Sequence, residues 1–241
     1  MERTESAAAI ADMAASYEIT LDERQAGLLV RHLEQVHEEN ERTNLTRIVD
    51  WEEALVLHVL DSLLLVPFVP MGCDSILDIG SGAGFPGMPL AIATGARTTL
   101  TDAVGKKTSA LQRMVEALGL EPQVKVLHTR IEDLARERPE SFSLITARAV
   151  SSIDVLVEYA APLLETNGSL LVTKGPKEEL TDEQYEKVLD LCGMRHVSRE
   201  TFELPHGLGT RVITRIDRVE DPKIWLPRRA GMALKRPLRD R

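Results

Sequence analysis

The chain has 241 residues, of which 43% are hydrophobic and 28% are charged, and its net charge at pH 7 is −9. This composition is typical of a folded globular protein and excludes collagen-like, intrinsically disordered and disulfide-dense chains. The longest apolar stretch, residues 63–71, contains two prolines. It is far shorter than the roughly 18 residues that cross a bilayer, so we expect no membrane span.

The first third of the chain has a helical pattern. The segment Leu21–Glu41 carries one apolar stripe at helical spacing, formed by Leu28, Leu29, Leu33 and Val36. The segment Asp50–Leu65 is more apolar, and Asp50 stands where a helix N-cap is expected. We therefore predict two helices before the first strand. Residues 1–20 include an alanine-rich, low-complexity stretch and lack the apolar core of a secretory signal, so we expect a cytoplasmic protein.

From residue 75 onward, short apolar or β-branched runs alternate with helical patterns. The predicted strands are Ile76–Ile79, Thr98–Thr101, Val124–Leu127, Leu144–Ala147 and Ser169–Lys174, the last preceded by a turn at Asn167-Gly168. The predicted helices are Pro86–Ala93, Lys107–Leu118, Ile153–Leu164 and Asp182–Cys192. This alternation is typical of a parallel sheet that is covered on both faces.

The last two predicted strands, His196–Leu204 and Gly209–Arg218, are joined by only four residues. That connection is too short for a parallel crossover, so the pair is predicted to form an antiparallel hairpin. A mainly parallel α/β sheet that ends in such a hairpin resembles the Rossmann-like class I methyltransferase fold. We expect three parts: an N-terminal helical segment (1–70) packed on the core, the methyltransferase core (71–222) and a basic C-terminal tail (223–241).

The strongest motif is the run D-I-G-S-G-A-G-F-P-G from Asp78 to Gly87, where the first strand meets its helix. Glycines at such a turn let the backbone approach a ligand, and the helix start offers unpaired N–H groups. Gly82, Gly84 and Gly87 satisfy G-x-G-x-x-G, and Asp102 lies 20 residues beyond Gly82, where a carboxylate binds a ribose. This motif is compatible with NAD and with S-adenosylmethionine.

Three features favour S-adenosylmethionine. Asp78 stands two residues before Gly80, where its carboxylate suits the ammonium group of a methionine and opposes a pyrophosphate. The chain after the sheet lacks a second domain for a dehydrogenase substrate, and the terminal hairpin fits a methyltransferase better than a dinucleotide fold. A dehydrogenase and a purely structural glycine turn remain alternatives on this evidence.

The two cysteines, Cys73 and Cys192, lie 119 positions apart, and only His196 falls at ligand spacing from either of them. This pattern argues against a disulfide scaffold and against a four-ligand zinc site. We expect two free, buried thiols and no metal.

The C-terminal tail differs in charge from the rest of the chain. Residues 223–241 contain seven basic side chains and one acidic side chain, a balance of +6, so residues 1–222 carry −15. Such a segment suits a polyanion and is unnecessary for binding a small donor. The charge alone is equally compatible with a phosphate-binding footprint and with a solvated terminus.

Several motifs together resemble the RsmG (GidB) family, the small-subunit ribosomal RNA guanine-N7 methyltransferases. The glycine run resembles the family signature D-[IV]-G-[ST]-G-x-G-x-P-G, and the resemblance extends over roughly residues 20–238. The other matching segments are Asn44-Leu45-Thr46, His58-Val59-Leu60-Asp61-Ser62, Asp102 with Gly105-Lys106-Lys107, Arg130-Ile131-Glu132, Thr146-Ala147-Arg148-Ala149, Lys174-Gly175 and Leu226-Pro227-Arg228-Arg229-Ala230-Gly231. In the last segment Leu226 replaces the frequent tyrosine.

The resemblance implies a methyl transfer from S-adenosyl-L-methionine to N7 of a guanine in 16S ribosomal RNA, guanine 527, with the RNA or the small ribosomal subunit as partner. It implies that the donor is bound by Asp78, Gly80, Ser81, Gly82, Gly84 and Phe85 at its methionine end, by Asp102 at the ribose, by Ile131 and Glu132 at the adenine, and by Arg148. Arg148 is also the catalytic candidate, beside the incoming nucleotide. The RNA-binding candidates are Lys106, Lys107, Arg130, Arg228, Arg229, Lys235 and Arg236.

Guanine N7 has a free in-plane lone pair and carries no proton, so its methylation needs no general base. We therefore expect alignment and electrostatics instead of a catalytic triad. His58 lies on an apolar helix face, where a histidine is more often a satisfied core residue than a catalyst. A small-molecule methyltransferase and a non-catalytic RNA-binding or ribosome-assembly protein on the same fold remain alternatives.

Overall fold

A computed structural model describes residues 3–176 and 183–240. Within them, one seven-stranded sheet has the strand order β3-β2-β1-β4-β5-β7-β6. The strands are β1 (Ser75–Ile79), β2 (Arg97–Asp102), β3 (Val124–His128), β4 (Phe142–Arg148), β5 (Leu164–Lys174), β6 (Met194–Glu203) and β7 (Thr210–Arg218). Strands β1 to β5 pair in parallel, whereas β7 is antiparallel to both β5 and β6. The predicted parallel sheet with a terminal hairpin is confirmed.

The predicted helical segments are present with shifted ends, the second of them as a broken stretch, and further helices form at residues 3–15, 131–137 and 232–235. The helices are α1 (Arg3–Ala15), α2 (Glu23–Thr43), α3 (Trp51–Ala54), α4 (Asp61–Leu63), α5 (Gly87–Thr94), α6 (Gly105–Leu118), α7 (Ile131–Glu137), α8 (Ile153–Ala160), α9 (Glu183–Cys192) and α10 (Met232–Lys235). A π-helical turn, Leu55–Leu60, joins α3 to α4. Asp50 is the predicted N-cap, since its side chain accepts a hydrogen bond from the Glu53 amide at 2.9 Å. Asp182, the predicted first residue of α9, lies outside the described residues.

Three sequence-based expectations about elements are corrected. Two helices are predicted before the first strand, but an additional helix, α1, forms in the alanine-rich start and buries Ile10 and Ala14 completely, as the high helix propensity of alanine allows. Helix α8 ends at Ala160 and not at residue 164, since Pro162 lacks the N–H that would continue it. The predicted turn at 167–168 lies within β5, where Asn167 has φ +66° beside a register shift against β4.

Two hydrophobic cores lie on opposite faces of the sheet. One contains α1, α2, the 51–65 helical stretch, α5 and α6, so the N-terminal helices share a continuous core with the sheet. The other contains α7, α8, α9 and α10 together with Leu238. Glu39 of α2 and Arg113 of α6 form a bidentate ion pair. Arg113 Nε donates to Glu39 Oε1 at 2.8 Å, and Arg113 Nη2 donates to Glu39 Oε2 at 2.6 Å. This arrangement leaves the carboxyl ends of the parallel strands as the open edge at which a ligand binds.

Within the described ranges, no helix combines the length and the apolar character that a membrane crossing requires. Among the same residues, no group of three or more His, Cys, Asp or Glu side chains is placed to hold a metal ion. Both cysteines are free, but only Cys192 is buried as expected, whereas Cys73 is partly exposed.

Leu33, on α2, is fully buried in the first core. We expect Leu33→Ala to lower the free energy of unfolding by about 2–5 kcal/mol, because the lost burial and the resulting cavity both destabilise the fold. Glu41→Ala, at an exposed position of the same helix, is the matched control and should change it by less than about 0.5 kcal/mol. Urea unfolding of both variants measures the difference, and equal stabilities would show that α2 is not part of the core.

Candidate functional site

The glycine turn between β1 and α5 has a backbone conformation that residues other than glycine rarely adopt. Gly82 has φ +57° and Gly84 has φ +95°, in the left-handed region that disfavours side chains. A Cβ at Gly84 would lie 2.9 Å from His32 Nε2, whereas a Cβ at Gly82 would meet nothing closer than a carbonyl oxygen at 3.9 Å. Gly84 is therefore required for packing, and Gly82 borders free space.

Asp78 anchors this turn from inside the protein. Its carboxylate is fully buried and accepts hydrogen bonds from Gly87 N at 3.2 Å and Thr146 Oγ1 at 2.9 Å. Burial raises the pKa of Asp78 to about 6, and these hydrogen bonds only partly oppose the shift. Asp78 does not line either of the two cavities described below, and its predicted contact with a methionine ammonium group stays a prediction. Its carboxylate holds the start of α5 against β4.

A cavity of about 420 Å³ opens at the carboxyl ends of the strands. We call it the donor cavity. It is lined by Ile79, Gly80, Thr101, Asp102, Ala103, Lys107, Thr129, Arg130, Ile131, Glu132, Ala149, Val150, Ser151, Tyr159, Gly231 and Leu234. Its lining combines apolar walls with two acidic side chains, Asp102 and Glu132, and two basic side chains, Lys107 and Arg130, so it suits a partly apolar ligand that carries hydrogen-bonding groups.

Asp102 lies at the end of β2 and borders the donor cavity. Its Oδ2 accepts a hydrogen bond from Gly82 N at 3.3 Å and its Oδ1 accepts one from Val104 N at 2.9 Å, while Lys107 Nζ lies 3.9 Å from Oδ2. Each carboxylate oxygen has two lone pairs, so this side chain keeps acceptor capacity for hydroxyl donors.

A second cavity, of about 320 Å³, adjoins the first through Ala149, which lines both. We call it the basic cavity, because Arg148, Lys174 and Arg211 line it. The carboxylate of Asp61 is 2% exposed and pairs with two of these cations, Arg148 Nη1 at 2.8 Å and Arg211 Nε at 3.0 Å. With three positive side chains and one carboxylate in its lining, the cavity is net positive and suits an anionic or electron-rich group.

Arg148 is held from several directions. Its Nη1 also donates to the Leu57 carbonyl at 3.0 Å, and its Nη2 lies 3.3 Å from His58 Nδ1. Because a guanidinium only donates, Nδ1 is the acceptor, and the His58 proton sits on Nε2, which donates to Thr46 Oγ1 at 2.8 Å. The guanidinium also lies over the Phe85 ring, 5.4 Å from its centroid.

His58 and His32 flank the Phe85 ring, each with a centroid separation of 4.6 Å. Burial, together with the positive charge of Arg148, lowers the pKa of His58 to about 3. Burial lowers the pKa of His32 to about 4, and its Nε2 donates to the Ala83 carbonyl at 3.0 Å. Both histidines are therefore neutral at physiological pH and support the turn from within the core.

The sequence model of the GidB family, described as rRNA small subunit methyltransferase G, matches residues 25–207. A curated ribosomal RNA small subunit methyltransferase G from Chloroflexus aggregans is 38% identical over 225 residues, covering 91% of this chain and 93% of the relative. The counterpart from Lactobacillus acidophilus is 33% identical over 224 residues, covering 90% and 93%.

The chain belongs to this family. Solved structures confirm the class I methyltransferase fold at lower identity. An O-methyltransferase from Bacillus cereus in complex with SAH aligns with a TM-score of 0.58 at 17% identity, covering 87% of this chain and 97% of that one. The [4+2]-cyclase SpnF aligns with a TM-score of 0.56 at 15% identity, covering 78% and 93%. Family and fold confirm the expectation of an S-adenosylmethionine-dependent methyltransferase acting on small-subunit ribosomal RNA.

The structure divides the predicted donor-binding residues of this GidB-family protein into two groups. Those that line the donor cavity are Gly80, Asp102, Ile131 and Glu132. Those that support the turn or the basic cavity without lining the donor cavity are Asp78, Ser81, Gly82, Gly84, Phe85 and Arg148. Ser81 is buried, with its hydroxyl donating to the Asp78 carbonyl and accepting from Thr101 N. Arg148 lines the basic cavity.

The predicted RNA-binding cations are also divided. Lys106, Arg130, Arg229, Lys235 and Arg236 are exposed, while Lys107 is half-buried beside Asp102. Arg228 is placed differently: its guanidinium forms a bidentate pair with Glu158, and the two side chains are only 10% and 4% exposed. A cation neutralised inside the protein is not available to a phosphate group.

Sequence reasoning missed Asp61, Lys174 and Arg211 as site residues. A signal existed for Asp61, because it follows His58 by three residues and therefore shares its helix face. No local pattern marks Arg211, which reaches the site only because β7 inserts between β5 and β6.

The buried carboxylate of Asp78 makes a testable contribution to stability. An acid whose pKa is raised on folding stabilises the fold below its unfolded value of 3.8, and this contribution is lost as the pH rises through about 6. We expect the unfolding free energy of the wild type, relative to Asp78→Asn, to fall by up to about 3 kcal/mol from pH 4 to pH 7. Urea titrations across this range test the prediction. A constant difference would show that the carboxylate is not desolvated.

Proposed function

We propose that this protein methylates N7 of a guanine in small-subunit ribosomal RNA, and that its target is guanine 527 of 16S RNA, as the family resemblance implies. The observation that carries the proposal is the junction of the donor cavity with the basic cavity at Ala149. A donor held in the first cavity and an RNA base held in the second meet at this junction, beside Arg148.

The residues of the donor cavity fit S-adenosylmethionine. Asp102, at the end of β2, has acceptor capacity for the ribose hydroxyls, and Ile79 and Ile131 provide an apolar wall for the adenine. The backbone of Gly80 and the free space beside Gly82 accommodate the methionine portion. When bound, this group supplies an electrophilic methyl carbon on a positively charged sulfur.

The residues of the basic cavity position the nucleotide. Hydrogen bonds to Asp61, to the Leu57 carbonyl and to His58 hold the guanidinium of Arg148 in one orientation within the basic cavity. Such fixed positioning lowers the entropy cost of aligning N7 with the methyl carbon. Guanine N7 carries no proton, and the neighbouring His58 stays neutral, so the side chains at this site orient the base without moving a proton.

Exposed cations supply phosphate contacts. Arg130 lines the donor cavity, Lys106 is exposed on the first turn of α6, and Arg229, Lys235 and Arg236 lie on the C-terminal segment. The body of the protein is acidic, so these clustered cations and not the overall charge attract the RNA.

The decisive experiment incubates the protein with labelled S-adenosylmethionine and either naked 16S RNA or small subunits that lack the modification. Nucleoside mass spectrometry should detect 7-methylguanosine in one of the two substrates. Arg148→Ala should reduce the methyl-transfer rate by about 100-fold, because the base loses its alignment, while affinity for S-adenosylhomocysteine is retained.

Arg97→Ala is the matched control, since Arg97 is an exposed arginine at the start of β2, paired with Asp74 and away from both cavities. It should leave the rate unchanged. Calorimetry completes the test, and it should show that S-adenosylhomocysteine binds to the protein and that NAD does not. Tight NAD binding without a response to S-adenosylhomocysteine, or donor binding without any methylated guanosine, would refute the proposed function.

The rate should also depend little on pH. Because N7 needs no deprotonation and the pKa values of His58 and His32 lie at about 3 and about 4, neither histidine titrates above pH 6. We expect the methyl-transfer rate at saturating substrate to vary by less than about twofold between pH 6 and pH 8.5. Initial rates across this range provide the measurement, and a bell-shaped profile would reveal an acid or base that the proposed mechanism lacks.

A further inference from the structure

The C-terminal segment, residues 223–240, packs against the body of the protein. Ala233 and Leu238 are buried, and Ile224 and Leu226 pack against the core that contains α8 and α9. The charge of this segment predicts an RNA contact, but its apolar side chains place it beside the donor cavity. This position suggests that the segment has a role at the donor cavity in addition to any contact with RNA.

A buried ion pair fixes the middle of the segment. Arg228 Nε donates to Glu158 Oε1 at 2.6 Å, and Arg228 Nη2 donates to Glu158 Oε2. The carbonyl oxygen of Arg228 accepts a further hydrogen bond from Arg136 Nη2 at 3.0 Å. A bidentate, desolvated pair of this kind defines one geometry for the backbone that follows.

Three residues beyond this anchor, the segment reaches the donor cavity. The Gly231 amide donates to Glu132 Oε1 at 2.6 Å, and both residues line the cavity. Leu234 also lines it, although 59% of this apolar side chain is exposed. Tyr159, which follows Glu158 on α8, lines the cavity as well. One side of the donor cavity is therefore built from the C-terminal segment and the helix that anchors it.

We propose that the C-terminal segment is part of the donor-binding site, with Gly231 and Leu234 forming a wall against the nucleoside portion of the donor. Arg228 and Glu158 are positioning residues, because they hold this wall in place without contacting the ligand. Glu132 also holds this wall in place, because its carboxylate accepts a hydrogen bond from the Gly231 amide. The inference rests on the proposed function, since it requires the donor to occupy this cavity.

Apolar surface that is exposed to water raises the free energy of the protein. Leu234 is held at the cavity with most of its side chain in water, and a bound nucleoside would cover it. The exposed cations Arg229, Lys235 and Arg236 are interspersed with these cavity residues. The same segment thus presents charge to the solvent and apolar surface to the donor cavity.

Calorimetry with S-adenosylhomocysteine on full-length variants tests the inference. Leu234→Ser changes an exposed side chain and leaves the core intact, and it should weaken binding by about tenfold through lost apolar contact. Arg228→Ala should weaken binding at least about fivefold, because the wall loses its anchor. Arg229→Ala is the matched control, with the same loss of charge one residue away, and should bind the ligand as the wild type does.

A double variant separates positioning from direct contact. Arg228→Met with Glu158→Leu replaces the ion pair by apolar side chains of similar volume, an exchange that buried pairs often tolerate. It should restore affinity to within about threefold of the wild type. In hydrogen exchange, saturating S-adenosylhomocysteine should slow the amides of residues 226–235 in the wild type.

The outcomes distinguish the two proposals. Wild-type affinity in both Leu234→Ser and Arg228→Ala, with no protection of residues 226–235, would overturn the role of the segment and leave the proposed function standing. Failure of the wild type itself to bind S-adenosylhomocysteine would overturn both proposals. If the double variant binds as weakly as Arg228→Ala, Arg228 is a ligand contact and not a positioning residue.

Discussion

A buried carboxylate needs cationic or hydrogen-bonding partners, because leaving it unpaired in a medium of low polarity costs several kcal/mol. Asp61 meets this requirement with Arg148 of β4 and Arg211 of β7. The pairing joins the N-terminal helical stretch to the middle and to the antiparallel end of the sheet. Arg148 in turn contacts His58 and lies over Phe85 of the glycine turn. The basic cavity is built around this connection, since Asp61, Arg148 and Arg211 all line it.

The two cavities differ in electrostatic character. The donor cavity has a mixed lining, in which the carboxylates of Asp102 and Glu132 are balanced by Lys107 and Arg130. The basic cavity has three cations and one acid in its lining, and this excess of positive charge favours an anionic or electron-rich group. Because Ala149 lines both cavities, the fold places the balanced cavity directly beside the positive one.

The C-terminal segment shows why summed charge is an incomplete guide to function. Its balance of +6 indicates a polyanion partner, yet Arg228 is neutralised inside the protein and Gly231 bonds to a donor-cavity carboxylate. Charge counts treat each cation as available, whereas packing removes some of them from the solvent. A basic segment that also carries apolar side chains can bury them against the body of the protein, and this burial favours a packed segment over one extended into solution.

The sequence by itself determined the order of strands and helices, the terminal hairpin, the glycine turn and the family, because periodicity, turn residues and motifs depend on neighbouring positions. It also marked Asp102 and Glu132, which do line the donor cavity. Only the tertiary structure decided that Asp78 is an internal anchor, that Asp61 and Arg211 belong to the site and that Arg228 is buried. Burial and ion pairing depend on residues far apart in the chain, which meet only when β4, β7 and the C-terminal segment pack together.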